Sequence, residues 1–253
     1  MKHPSLSYLP MIALLFIFGC KSTSEVQHLA ELNVQYYRID GKVEKTDPTI
    51  ESLISDYREE MNKEMLIVIG DLPEELTKSK PNSNLGNWFS DMLEEEAQLL
   101  FPDKDVDFAI QNYGGLRVNA FAKGPITQSD IFELMPFDNT LVLIKLPSET
   151  VQQLLDRIAH YGGWPISKSL QFTVKDSSAT EILIHNQPLN SKEFYNIALP
   201  DYIANGGDQC DFLLNHESIN SGIFIRTIII DHIKRNSEKG KPIVIDPNIR
   251  IKT

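Results

Sequence analysis

The sequence predicts an α+β fold, a mixed sheet with helices packed on it, and three observations carry that expectation. Helical stripes and short apolar strands interleave along the chain, several strands follow one another through turns without a helix between them, and no internal repeat or low-complexity linker interrupts the pattern. A doubly wound parallel sheet would instead need a crossover helix between consecutive strands. At 253 residues there is room for one domain with an extra arm. The formal charge of −11 argues against a nucleic-acid surface, which needs clustered Lys and Arg.

Residues 1–19 read as a signal peptide. Lys2 and His3 precede an apolar run, Met11 to Phe18, too short to span a bilayer and long enough for a signal core. The run ends at Gly19-Cys20 and is followed by polar residues from Lys21 to Glu25. A small residue, one Cys and a polar tether resemble a bacterial lipoprotein cleavage site. That resemblance implies a lipid on Cys20, contact with the membrane through this anchor alone, and residence in the bacterial cell envelope, on its periplasmic or cell-surface face. A plain secretory signal with an incidental Cys is the alternative. With Cys20 lipidated, the second cysteine, Cys210, has no disulfide partner and reads as a semi-buried residue beside a turn.

Residues 20–45 are a tether and N-terminal arm, in which Asn33 to Asp40 (NVQYYRID) suits a strand or an extended arm. The domain proper is expected over residues 46–253. It begins with a helix capped by Asp47 and Pro48, whose apolar stripe is Ile50, Leu53, Ile54, Tyr57 and Met61. Met65 to Ile69 reads as a buried strand, with Gly70-Asp71 as the turn after it. Ser83 caps a helix with Leu85, Trp88, Phe89, Met92, Leu93 and Ala97 on one face. A helix from Ser148 carries Val151, Leu154, Leu155 and Ile158. Strands follow at Ser169–Lys175, Glu181–His185 and Phe194–Leu199, then a helix over Gly222–Asn236 and a closing strand over Pro242–Ile251.

The stretch from Val106 to Leu146 organises the rest. A strand, Val106 to Ile110, breaks at Asn112 and meets Gly114-Gly115, a pair suited to φ > 0 and close approach, with Arg117 just beyond. Thr127 and Asp130 signal a capped helix that Pro136 stops, and a strand from Asn139 to Leu146 has Phe137 and Asp138 at its mouth. Polar groups, an arginine and an aromatic ring at neighbouring strand ends suit a flat, polar, anionic ligand. On spacing alone, a glycine-rich turn with one solvated Arg and a core Phe is the more economical reading.

Four segments in order change that weighing: SNLGNWFSDML, QNYGGLR, GPITQSDIFELMPFDNTLVLIKL and LPDYIANGGD. They resemble the signature stretches of the C-terminal, substrate-binding domain of the 5′-nucleotidase/UDP-sugar hydrolase family, and the likeness runs from about Met65 to the end. The resemblance implies that Phe137 and Tyr202 sandwich a base, with Tyr202 in place of the more usual Phe. It implies that Asp208 accepts from ribose hydroxyls, that Arg117 and its neighbour Asn112 hold the phosphate side, and that Asn139 contacts the base edge. Tyr113 stands where a third glycine is common, which is expected to narrow the pocket. Lys78 and Lys80 come near the further cations of the family.

The metal-binding half of that family has no counterpart motif here. The six histidines are scattered, no two at ligand spacing, and there is no nucleophile elbow, Walker loop or Cys-His pair. No catalytic or metal residue is therefore assigned, no cofactor is expected on this chain, and divalent metals are expected on a partner. The expected function is the nucleotide- or nucleoside-binding part of a two-component 5′-nucleotidase completed by a separate metallophosphoesterase. The rivals are a non-catalytic envelope module that captures nucleotides or nucleosides, and an interaction protein that keeps the fold without the pocket.

Overall fold

In a computed structural model that describes residues 47–253, one strand, Thr140–Pro147, sorts the apolar side chains into two cores. Successive strand side chains point to opposite faces. Leu141 and Leu143 accordingly join one core, and Val142, Ile144 and Leu146 the other. That strand is therefore buried on both faces. The expected signal segment, the Cys20 anchor and the Asn33–Asp40 arm lie outside the described residues.

Helix α1 (Pro48–Met65) carries the expected apolar stripe, but Ile50, Leu53, Ile54, Tyr57 and Met61 are exposed and none of its residues is buried. The stripe sets a helical period without packing on either core. Burial begins only at Ile69, because β1 (Val68–Leu72) pairs with β5 (Gly124–Thr127) in a two-stranded ribbon. The expected buried strand at Met65–Ile69 is thus displaced, with Leu66, Ile67 and Val68 exposed. Gly70 and Asp71 lie within β1 and not in a turn. A Cβ on Gly70 would sit 2.6 Å from Ile233 Cγ2, so helix packing requires the glycine.

Between the strands of that ribbon, β2 (Leu76–Thr77) pairs with β4 (Ala120–Phe121), and α2 (Asn84–Leu100) starts at Ser83, whose hydroxyl accepts from the Gly86 amide. Its predicted face is wholly buried. Strand β3 is only Phe108–Ala109. Helix α3 (Gln128–Leu134) has the full capping box of Thr127 and Asp130. After β6 (Thr140–Pro147), α4 (Ser148–His160) buries its predicted stripe.

Strand β7 (Leu170–Lys175) turns through Asp176 and Ser177, both at positive φ, into β8 (Ser178–Ile184), which therefore starts before the expected Glu181. The chain continues through β9 (Gln187–Pro188), β10 (Phe194–Pro200) and the short α5 (Asp201–Ala204). Gly222 to Phe224, expected in the last helix, close strand β11 (Ser218–Phe224) on β6, and α6 runs from Ile225 to Glu238. The tail is strand only at β12 (Ile251–Lys252). Pro242 and Pro247 interrupt backbone donation before it. Arg250 pins the tail instead, fully buried between Asp91 and Asp246 at 2.7 and 2.8 Å.

Two four-stranded mixed sheets result, ordered β11-β6-β10-β3 and β12-β7-β8-β9. In the first, β10 runs parallel to β3 and antiparallel to β6. The C-terminal ends of β3 and β10 therefore lie beside the N-terminal end of β6. Among the described residues, no helix is long and apolar enough to cross a membrane.

Candidate functional site

Those three strand ends place the predicted site residues in neighbouring loops. Asn112 and the turn Tyr113–Gly115 follow β3, Phe137 and Asn139 precede β6, and Tyr202 and Asp208 follow β10. They converge on a cleft of about 320 Å³ lined by Asn112, Gly114, Gly115, Arg117, Phe137, Asn139, Tyr202 and Asp208. All six residues singled out from sequence line it.

The glycines serve differently from the expectation. Neither Gly114 nor Gly115 has positive φ. Gly115 is required because a Cβ there would lie 2.0 Å from Gln111 Nε2 and 2.7 Å from Asn112 Oδ1. Gly206 does take φ 87°, and Gly207 lies so close to Tyr202 that a Cβ would sit 2.5 Å from its ring.

Asp208 is the hub of the polar contacts. Asn112 Nδ2 donates to its Oδ2 at 2.8 Å, and the Tyr202 hydroxyl to its Oδ1 at 3.1 Å. The Asp208 amide in turn donates to the Tyr202 oxygen at 3.3 Å. Gln111 Nε2 donates to Asn112 Oδ1 at 2.8 Å, which orients the Asn112 amide toward Asp208. Arg157 Nε donates to the Asp208 carbonyl at 2.8 Å. These contacts hold Asp208 at φ 52°, a left-handed conformation that Asp tolerates better than most residues. The Asp208 amide favours the Tyr202 phenolate, but burial and the neighbouring carboxylate outweigh it and raise the Tyr202 pKa above its usual value. Tyr202 is accordingly a neutral hydrogen-bond donor at neutral pH.

Phe137 and Tyr202 remain 40% and 43% exposed, so both rings offer unfilled aromatic surface. Arg117 is exposed beside them, its guanidinium 5.7 Å from the Phe137 ring centre. Lys78 and Lys80 do not line the cleft. Lys78 Nζ donates to the Leu116 carbonyl at 2.6 Å and lies 4.0 Å from the Tyr113 ring centre; Lys80 Nζ donates to the Tyr161 carbonyl at 2.7 Å. Burial, Arg117 and Lys80 lower the Lys78 pKa. Tyr113, expected to narrow the cleft, is turned to these lysines and does not line it.

Local spacing missed the groups that hold the Phe137 loop. Arg226 donates to the Met135 and Phe137 carbonyls at 3.3 and 3.2 Å and to Asp138 Oδ1 at 2.7 Å. The Ile225 amide donates to the Asn139 carbonyl at 2.9 Å, and Thr140 Oγ1 to Asp201 Oδ2 at 2.9 Å.

Elsewhere among the described residues, Glu95, Glu96 and His232 bring ligand atoms within 4.8 Å of one another. Glu96 is already paired with Arg235 and with His232 Nδ1 at 2.6 Å, so an organic cation holds that position. His232 is buried and satisfied, with Asn236 2.9 Å from Nε2. Cys210 is fully buried, not semi-buried, and burial pushes its thiol up to about 11, away from nucleophile chemistry. The cleft thus presents two exposed aromatic rings, a carboxylate with free acceptor capacity at Asp208 and an exposed guanidinium at Arg117.

Comparison with known proteins gives a consistent result. Residues 68–215 match the family model described as "5′-nucleotidase, C-terminal domain". A 5′-nucleotidase of Vibrio vulnificus is 24% identical over 217 residues, 79% of this chain and 38% of the relative. The protein UshA of Escherichia coli is 25% identical over 136 residues, 52% of this chain and 24% of the relative. The crystal structure of a 5′-nucleotidase precursor from Thermus thermophilus has a TM-score of 0.68 at 22% identity, covering 81% of this chain and 43% of that one. The chain therefore spans less than half the length of these relatives.

Proposed function

This chain belongs to the 5′-nucleotidase C-terminal domain family, and on that footing we propose that it is the nucleotide- or nucleoside-binding component of a two-component 5′-nucleotidase in the bacterial envelope. The observation that carries the proposal is the convergence of Phe137, Tyr202, Asp208 and Arg117 on one cleft. Phe137 and Tyr202 stack the base, Asp208 accepts from ribose hydroxyls, Asn139 contacts the base edge, and Arg117 with Asn112 steadies the phosphate side. Stacking on an aromatic ring is worth about 1–3 kcal/mol per base.

In this reading, hydrolysis of the phosphate ester belongs to a metallophosphoesterase on a separate chain. Its two divalent ions would activate the nucleophilic water and offset the negative charge on the phosphoryl oxygens, while this chain positions base and ribose. Splitting the two halves forgoes the effective concentration of a linker. A lipid on Cys20 restores part of it by holding this chain at the surface where the partner works. A capture module without a hydrolytic partner is the second reading, supported by the same cleft.

Reconstitution decides between them. Adding the purified chain to dinuclear metallophosphoesterases from the same cell is expected to raise metal-dependent phosphate release from nucleoside monophosphates, with Arg117→Ala lowering the gain. If none of them gains rate or nucleotide selectivity, the two-component reading gives way to the capture module.

A further inference from the structure

The loop bearing Phe137 is held from a distance. Between the end of α3 and the start of β6, Met135 to Asn139 leave helix geometry, and Phe137 and Asp138 are exposed. An exposed loop of this kind fixes no ring by packing alone. Three of its acceptors meet one guanidinium, that of Arg226 in the first turn of α6: the Met135 and Phe137 carbonyls and the Asp138 carboxylate. Only 13% of the Arg226 side chain is accessible, and its guanidinium lies 4.5 Å from the Phe132 ring centre and 5.8 Å from that of Phe224. The adjacent Ile225 amide closes the loop at Asn139. The planar fork of an arginine suits several fixed acceptors at once, whereas a lysine ammonium acts as a point charge.

We propose that Arg226 is the positioning residue for the aromatic wall of the cleft: it does not line the cleft, and sets the Phe137 ring against which a base stacks. The proposal rests on the binding role given above to Phe137. It makes α6, outside the cleft, part of what determines affinity.

The test is a double-mutant cycle on the full chain, with adenosine titrated calorimetrically into wild type, Arg226→Ala, Phe137→Ala and the double variant. Hydrogen exchange of the 135–139 segment is read in parallel. Arg226→Ala is expected to weaken adenosine roughly three- to tenfold and to speed exchange in the segment. The affinity loss should largely vanish in the Phe137→Ala background, and Arg226→Lys should recover only part of it. Should Arg226→Ala unfold the chain, Arg226→Lys carries the cycle. Unchanged affinity in the Arg226 variants, or a loss of equal size with and without Phe137, overturns the positioning role and leaves the cleft assignment standing. If wild type and Phe137→Ala bind adenosine identically, or neither binds, the cleft assignment falls and this inference falls with it.

Discussion

The hydroxyl of Tyr202 lies 3.1 Å from Oδ1 of Asp208, so one exposed ring of the cleft is tied to its acidic residue. Asn112 occupies the other carboxylate oxygen. A carboxylate has about four lone-pair sites, which leaves Asp208 able to accept from a ligand while both residues keep it in place. Substituting Tyr202 by Phe therefore separates stacking from carboxylate positioning.

Tyr202→Phe is expected to keep adenine affinity within about threefold, since the ring face is retained. Tyr202→Ala should cost about 1–3 kcal/mol for base and riboside alike. Calorimetric titration of adenine and adenosine into both variants checks this; equal losses in the two variants would remove the stacking role.

Gly207→Ala probes the same ring from behind. The new Cβ would sit 2.5 Å from the Tyr202 ring and from the Tyr202 carbonyl oxygen, so the loop must shift. Destabilisation of about 1–3 kcal/mol in urea unfolding is expected, whereas Gly114→Ala, whose nearest neighbour is an amide nitrogen at 3.9 Å, should have a much smaller effect.

Glu96 ties acid stability to the pairing of α2 with α6. Burial opposes its ionisation, but hydrogen bonds and charges from His232 and Arg235 outweigh that and hold its pKa below the ordinary 4.5. The unfolded chain therefore binds this proton more readily. The stabilisation is fully present above pH 4.5 and is lost as pH falls through the lower folded value. Glu96→Gln should flatten that part of the stability–pH profile. Removing the carboxylate with Glu96→Ala should cost about 1–3 kcal/mol near neutrality, because buried His232 and the partly exposed Arg235 lose the acceptor they share. Urea unfolding from roughly pH 3 to roughly pH 7 reads both effects.

Local pattern revealed more of this fold than long-range contact did. The capping box at Thr127 and the buried faces beginning at Leu85 and Val151 are set within one helix, so periodicity and caps displayed them. The convergence of Asn112, Phe137 and Tyr202 depends on β10 lying between β3 and β6, which no single spacing encodes; ordered motifs across the chain pointed to it. Arg226 was silent because its acceptors lie nearly ninety residues away in sequence. The stripe on α1 shows the converse, a clear period in sequence whose residues are exposed in the structure.

The central claim is that this cleft binds a nucleoside through stacking and its ribose diol. The most direct measurement is calorimetric titration of adenosine and adenine into wild type, Phe137→Ala and Asp208→Asn, the Asn being chosen because it tolerates the left-handed backbone at this position. Saturable adenosine binding is predicted in wild type, weakened for both ligands by Phe137→Ala, and weakened for adenosine more than adenine by Asp208→Asn. No saturable binding at millimolar adenosine, or binding that neither substitution alters, would contradict it.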